Sequence, residues 1–129
     1  MRNHKQFKFW DSFIQLLVRS YRFASSLPAG DQYALGAEIK RLTVRSRMHV
    51  VDAGSCEEAV DCARSLELAY RHVKELGSCI EFAAELGLTK LELVDGLIQS
   101  CDGMAGAIFS YRRSLSECSV RPAQLQPPV

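Results

Sequence analysis

The sequence predicts an all-α protein, an antiparallel up-and-down four-helix bundle. Apolar residues recur at three- and four-residue steps in four successive segments, a pattern typical of amphipathic helices. Short breaks that contain glycine or proline separate these segments. The sequence contains neither an alternating apolar run nor a hairpin turn, so it gives no indication of a strand. Because helices joined by short loops pack as antiparallel neighbours, the four segments predict a bundle.

Length and composition favour a single domain. The chain has 129 residues, and 47% of them are apolar, which is sufficient for a buried core. We expect the bundle to occupy residues 1–118. The segment 119–129 holds three prolines and no apolar periodicity, so it is predicted to be a disordered C-terminal tail.

The first helical segment extends over residues 7–26. Its stripe consists of aromatic and branched residues at helical spacing, namely Trp10, Phe13, Ile14, Leu17, Val18 and Tyr21. Pro28 ends the segment, and Asp31 is placed to cap the next helix. The run over residues 7–10 interleaves aromatic rings with a lysine, as single-strand binders do. A core role for Trp10 is favoured, because this ring begins the stripe.

The second segment, residues 32–53 with Gly54 as its stop, has two apolar faces. At 100° per residue, one side carries Leu35, Ile39, Leu42, Ser46 and Val50. The opposite side carries Tyr33, Ala37, Val44, Met48 and Val51. Because a surface helix of a monomer needs only one apolar stripe, the second stripe predicts an oligomer interface. The alternative is that the third and fourth helices of the same chain cover it.

Four cations border the second stripe, namely Lys40, Arg41, Arg45 and Arg47. An apolar strip edged by cations is typical of an oligomer interface beside an anion-binding surface. We therefore predict that these four side chains contact nucleic-acid phosphates. The alternative is that they pair with the acidic half of a neighbouring subunit.

The third and fourth segments each begin at a predicted capping box, residues 55–58 and residues 89–92. The third stripe comprises Leu66, Ala69, Val73, Leu76, Ile80 and Ala83, and Gly87 ends the segment. The fourth comprises Leu91, Val94, Ile98, Cys101, Ala105 and Ile108 and fades near Glu117. Gly77 lies inside the third helix at a cost of about 1 kcal/mol relative to alanine, which predicts a close helix contact there.

Charge is distributed unevenly along the chain. Residues 1–50 carry nine basic and three acidic side chains, whereas residues 51–129 carry seven basic and twelve acidic ones. This asymmetry favours either self-assembly between opposite faces or an anionic partner. The alternative is two solvated helix surfaces that differ without consequence.

The five cysteines are odd in number and form no C-x-x-C motif, so neither a disulfide framework nor a zinc knuckle is expected. Free thiols predict a reducing, cytoplasmic location. Polar residues interrupt every apolar stretch before the roughly 20 residues that a membrane span requires, so no membrane association is predicted.

The sequence indicates no catalytic constellation and no phosphate-binding glycine loop. His49 with Asp52, and His72 with Glu75, are spaced to form polar pairs on one helix face. Di-metal bundles instead place glutamate three residues before histidine, and twice. We therefore predict a non-enzymatic protein that has no metal and no cofactor.

Two runs in the first half of the chain carry a family resemblance. A tyrosine leads to a Leu-Pro pair over residues 21–28, and a Tyr-x-Leu leads to a basic pair over residues 31–41. Together with residues 7–10, Glu75 and residues 84–87, their order resembles the small four-helix-bundle proteins encoded within intervening sequences of bacterial large-subunit rRNA genes. Residues 47–53 depart from the Pro-Ala-Asn-Ile-Ala-Glu-Gly run of that family.

The resemblance implies an up-and-down bundle that forms a homopentamer. It also implies a relation to the accessory variability protein of diversity-generating retroelements, a basic pentamer that binds RNA and a reverse transcriptase. The expected partners are therefore a second copy of this chain and RNA, DNA or a nucleic-acid-processing protein. A purely structural oligomer is the alternative.

Overall fold

The computed structural model describes the backbone of residues 3–125 and the side chains of residues 3–115. Its four long helices are α1 (Trp10–Ser25), α2 (Ala37–Ser55), α3 (Ala59–Glu85) and α4 (Leu91–Leu125). The described residues contain no strand, and the predicted all-α bundle is confirmed. The predicted tail over 119–129 overlaps the end of α4, whose helical backbone reaches Leu125, and residues 126–129 lie outside the described residues.

The helices pack as an antiparallel up-and-down bundle. The long helix α3 packs against both α2 and α4, while α1 contacts α2 and α4 on the other side. All six predicted stripe residues of α3 are buried, which confirms the prediction for this helix. At Gly77, an added Cβ would lie 3.0 Å from the Cβ of Cys101, so the predicted close contact between α3 and α4 is present.

The buried faces of α1 and α4 are rotated from their predicted stripes. On α1, Leu16, Ser20 and Ala24 are buried, whereas Val18 and Tyr21 are exposed. On α4, Leu97 and Met104 are buried, and Leu91 is exposed. Two candidate core-facing sides of one helix can have most of their apolar residues in common and differ only at positions that hold small residues. Ser20 can face the core because its hydroxyl donates to the Leu16 carbonyl at 2.8 Å.

The N-terminal segment covers one end of the bundle. A short 3-10 helix over His4–Gln6 packs against α2, and the following rings of Phe7, Phe9 and Trp10 are buried. The stacked rings of Phe7 and Phe9 lie 5.1 Å apart between centroids. The core role of Trp10 is confirmed, and these rings are not available to stack on bases.

The end of α2 and the start of α3 differ from the prediction. Gly54 does not end α2, which continues to Ser55; a Cβ at Gly54 would collide with the backbone of His4. The predicted capping box at Ser55 is wrong, because its hydroxyl donates to the Asp52 carbonyl at 3.0 Å. A serine at a helix end can bond the carbonyl three or four residues earlier instead of capping the next helix.

A π-helical turn, Gln32–Gly36, leads into α2. Asp31 makes no side-chain cap, contrary to the prediction. The Gln32 amide instead donates to the Leu27 carbonyl at 2.6 Å and to the Ser25 carbonyl at 3.2 Å, and so satisfies the C-terminal end of α1. This turn leaves Tyr33 92% exposed.

Among the helices of residues 3–125, none has both the length and the apolar character that crossing a bilayer requires.

Candidate interface on the outer face of the second helix

The inner side of α2 faces the bundle core. Ile39, Leu42 and Val50 are at most 1% exposed, and Ser46 is fully buried beside them. Leu35 is partly buried and packs against the core. The predicted inner stripe is therefore confirmed.

The opposite side of α2 lies open to solvent. Tyr33 is 92%, Val44 50% and Met48 41% exposed, and Ala37 is also exposed. The alternative that α3 and α4 cover these residues is wrong. Val51 is the exception, because it is partly buried and packs against the core. We call Tyr33, Ala37, Val44 and Met48 the outer strip.

Two of the four predicted cations lie along the α1 edge of the outer strip. The Nζ atom of Lys40 lies 5.0 Å from the ring centroid of Tyr21, and the Cζ atom of Arg47 lies 5.1 Å from that of Trp10. Such cation–π contacts are worth about 0.5–1 kcal/mol at exposed sites. They hold both charged groups beside the strip. The sequence gives no signal for these ring partners, because the rotation of α1 about its axis determines which cations its rings meet.

The other two cations lie on the side of α2 that faces α3. Arg41 pairs with Glu38, with Nε donating to Oε2 at 3.2 Å, and this hydrogen bond lowers the pKa of the Glu38 carboxyl. Arg45 is exposed, and it forms no ion pair within the described part of the chain. The outer strip is therefore flanked by a cation pair on each edge, with one of the four cations neutralised by its own helix.

A histidine pair lies beneath the α3 edge. The rings of His49 and His72 are 4.9 Å apart between centroids, and His72 Nδ1 lies 3.1 Å from Glu75 Oε1. The predicted His72–Glu75 pair is confirmed. Asp52 acts on His49 only through its charge, and no hydrogen bond joins the two among the described residues. The His49 ring turns inward to meet α3, where it is 7% exposed. Burial lowers the pKa of the His49 imidazole, and the charges of His72 and Arg45 lower it further.

The thiols of Cys79 on α3 and Cys101 on α4 are partly or fully buried. Burial raises the pKa of the Cys79 thiol and raises that of Cys101 to about 12. A thiol must lose its proton to act as a nucleophile or a metal ligand, and these shifts oppose that step. Over the residues described, no group of three or more histidine, cysteine or acidic side chains is arranged to hold a metal ion.

The fold and this surface define a small four-helix bundle with an open apolar strip between two pairs of cations. Neither the known protein-family profiles nor the curated proteins compared with the chain give a match. The resemblance to the proteins of rRNA intervening sequences, and the pentamer that it implies, therefore stay predictions.

Proposed function

We propose that this protein is a non-enzymatic helical bundle that assembles with copies of itself and binds nucleic acid, or a nucleoprotein, through a basic surface. The outer strip is the observation that carries the proposal. Tyrosine and methionine are enriched at protein interfaces, and the fold leaves both Tyr33 and Met48 exposed. The homopentamer remains the expected form on the resemblance alone.

The nucleic-acid part of the proposal rests on Lys40, Arg41, Arg45 and Arg47. Cations that neutralise phosphates release counterions, so such binding weakens steeply as salt increases. Arg45 supports this function most directly, because it is exposed and forms no ion pair within the described residues. The cation–π contacts of Lys40 and Arg47 hold their charges beside the same strip.

A purely structural oligomer is the second candidate. Glu38 already neutralises Arg41, and the aromatic rings of α1 engage Lys40 and Arg47. The ion pair of Arg41 with Glu38 reduces the charge that is free to meet phosphates. The remaining charge would then pair with carboxylates of a neighbouring copy.

Self-assembly is tested by light scattering after size-exclusion chromatography, with Val44→Glu as the variant. We expect the wild type to exceed the 14.4 kDa of one chain and the variant to remain at that mass. Val60→Glu is the matched control, because Val60 is 62% exposed on α3 and lies outside the strip. If the wild type stays monomeric at all accessible concentrations, the proposal of self-assembly is wrong.

Nucleic-acid binding is tested by the fluorescence anisotropy of labelled RNA and DNA at low salt. The double variant Arg45→Gln/Arg47→Gln is compared with Arg22→Gln/Arg64→Gln, which removes two other exposed arginines. We expect binding by the wild type and the control, and a loss of at least about tenfold for the first variant. Assembly without any binding at low salt would favour the structural oligomer instead.

Charge reversal at Arg41 and Arg45 separates the two candidates. If assembly persists while nucleic-acid binding is lost, the two arginines bind phosphates. If assembly itself is lost, they form contacts between subunits.

We also propose that the protein acts in a reducing compartment, the cytoplasm. The support is chemical: among the described residues, Cys56, Cys62, Cys79 and Cys101 form no disulfide, and two of them are buried. Buried free cysteines serve as small apolar residues in a core.

A further inference from the structure

A second group of exposed apolar side chains lies around the hairpin that joins α3 to α4. Gly87, with φ at +78°, ends α3, and the Leu88 amide donates to the Ala83 carbonyl at 3.0 Å. This glycine-terminated turn fixes the two helix ends relative to each other. Four large apolar side chains around it are 49–76% exposed, namely Phe82, Leu86, Leu91 and Leu93. We call these residues and their acidic neighbours the hairpin end.

The hairpin end carries negative charge. Its exposed carboxylates are Glu81, Glu85, Glu92 and Asp95, and the turn adds a single cation, Lys90. None of these four carboxylates forms an ion pair among the side chains described. The hairpin end thus presents exposed apolar side chains next in sequence to carboxylates that pair with no cation among the described side chains.

The outer strip of α2 has the opposite character. Its exposed apolar side chains are flanked by Lys40, Arg41, Arg45 and Arg47, with Glu38 and Asp52 as the nearby acids of α2. A contact between two outer strips would therefore bring two sets of cations together. A contact between two hairpin ends would bring two sets of carboxylates together. Since like-charge juxtaposition in an interface costs several kcal/mol, neither symmetric contact is favoured.

We propose that the hairpin end of one copy docks on the outer strip of the next. This inference rests on the proposed self-assembly and names the surface that completes it. The two surfaces share no residue, so each can be altered by substitutions that leave the residues of the other unchanged. Such a head-to-tail contact extends from copy to copy and either closes into a ring or continues as a filament.

Two variants, each defective in one surface, test the inference. The strip variant is Val44→Gln/Met48→Gln, and the hairpin variant is Phe82→Gln/Leu86→Gln. Glutamine removes the apolar contact without adding a charge that could create a new one. All four positions are at least 41% exposed, so we expect both variants to fold, and thermal unfolding followed by circular dichroism checks this. Val60→Gln/Leu68→Gln is the matched control on exposed α3 positions outside the hairpin end.

Each variant alone is expected to associate at least about tenfold more weakly than the wild type. In an equimolar mixture, the intact hairpin end of one variant meets the intact outer strip of the other. The expected product is a species of two chains that does not grow further, observed by sedimentation velocity. The control is expected to assemble as the wild type does.

The outcomes separate this inference from the proposed function. If the hairpin variant assembles like the wild type, the inference is wrong and self-assembly through the outer strip stands. If both folded variants are monomeric and their mixture gives no two-chain species, the head-to-tail contact is also wrong. If the strip variant assembles like the wild type, or the wild type does not assemble, the proposed function itself fails.

Discussion

The inner and outer sides of α2 carry apolar residues in similar number and at similar spacing, yet the fold treats them differently. The inner residues Ile39, Leu42 and Val50 are sealed between the other helices. The outer residues Val44 and Met48 remain 50% and 41% exposed. An apolar stripe thus marks a surface that requires a partner, without stating whether that partner belongs to the same chain. Changes on the inner side are expected to affect folding, and changes on the outer side are expected to affect association.

The largest contrast is expected between Leu42→Ala and Val44→Ala. Leu42 is 1% exposed, so its truncation leaves a cavity and should lower the free energy of unfolding by about 2–5 kcal/mol. Val44 lies two residues away on the exposed side, and its truncation should change the stability of the monomer by less than about 0.5 kcal/mol. Urea denaturation at a protein concentration too low for assembly measures both. Equal losses would contradict the division of α2 into two sides.

A second contrast compares a packed glycine with an open one. Alanine at Gly54 would place its Cβ against the backbone of His4, and we expect a loss of about 1–3 kcal/mol as the N-terminal segment is displaced. Alanine at Gly103 of α4 meets no atom within 4 Å, so its higher helix propensity should add about 1 kcal/mol. Thermal unfolding of the two variants should therefore shift in opposite directions. A gain at Gly54 would show that the His4 contact does not constrain α2.

Replacement of Ser46, on the inner side of α2, by alanine is expected to change the free energy of unfolding differently from replacement of Ser20, the buried serine of α1. The Ser46 hydroxyl has no hydrogen-bond partner within the described residues, whereas Ser20 donates to the Leu16 carbonyl at 2.8 Å. Because a buried unsatisfied hydroxyl is costly, Ser46→Ala should raise the free energy of unfolding by about 1 kcal/mol. Ser20→Ala should give no gain. Urea denaturation of both variants tests this, and a stability loss at Ser46 would indicate an ordered water at the hydroxyl.

The smallest effect on stability is expected at His49, which lies between the inner and outer sides of α2 and contacts His72. The pKa of His49 in the folded protein lies below its ordinary value of 6.5, so the unfolded chain takes up a proton first as the pH falls. The contribution of His49 to the free energy of unfolding is complete above about pH 6.5 and is lost progressively at lower pH. Thermal midpoints measured from about pH 8 to about pH 5 should fall less for His49→Gln than for the wild type. An identical decline would show that other groups control the acid response.

The sequence was most informative where the pattern allowed one interpretation. The sequence predicts the buried stripe of α3 residue by residue, because this helix packs against both α2 and α4. On α1, both Val18 and Leu16 fit a helical stripe, and only the packing against α2 and α4 selects Leu16. The Ser55 capping box failed for a related reason, since the hydroxyl had carbonyls of α2 as competing partners.

The sequence predicts the position of the candidate interface, but it does not predict which residues and contacts lie at its edges. The spacing of Val44 and Met48 was enough to place them together, opposite the buried side. Helical spacing also predicts Val51 in this stripe, yet Val51 is partly buried and packs against the core. The contacts of Lys40 with Tyr21 and of Arg47 with Trp10 depend on how α1 is rotated against α2, which the separate periodicities of the two helices do not contain.

The close approach of α3 and α4 at Gly77 also constrains how this protein can vary. An added Cβ at that position would lie 3.0 Å from the Cβ of Cys101, which leaves no space for a larger pair. In related sequences, we therefore expect the two positions to change together, with a bulkier residue at 77 accompanied by glycine or alanine at 101. A chain that changed only one of them would have to move the two helices apart, and the hairpin that joins them would move as well.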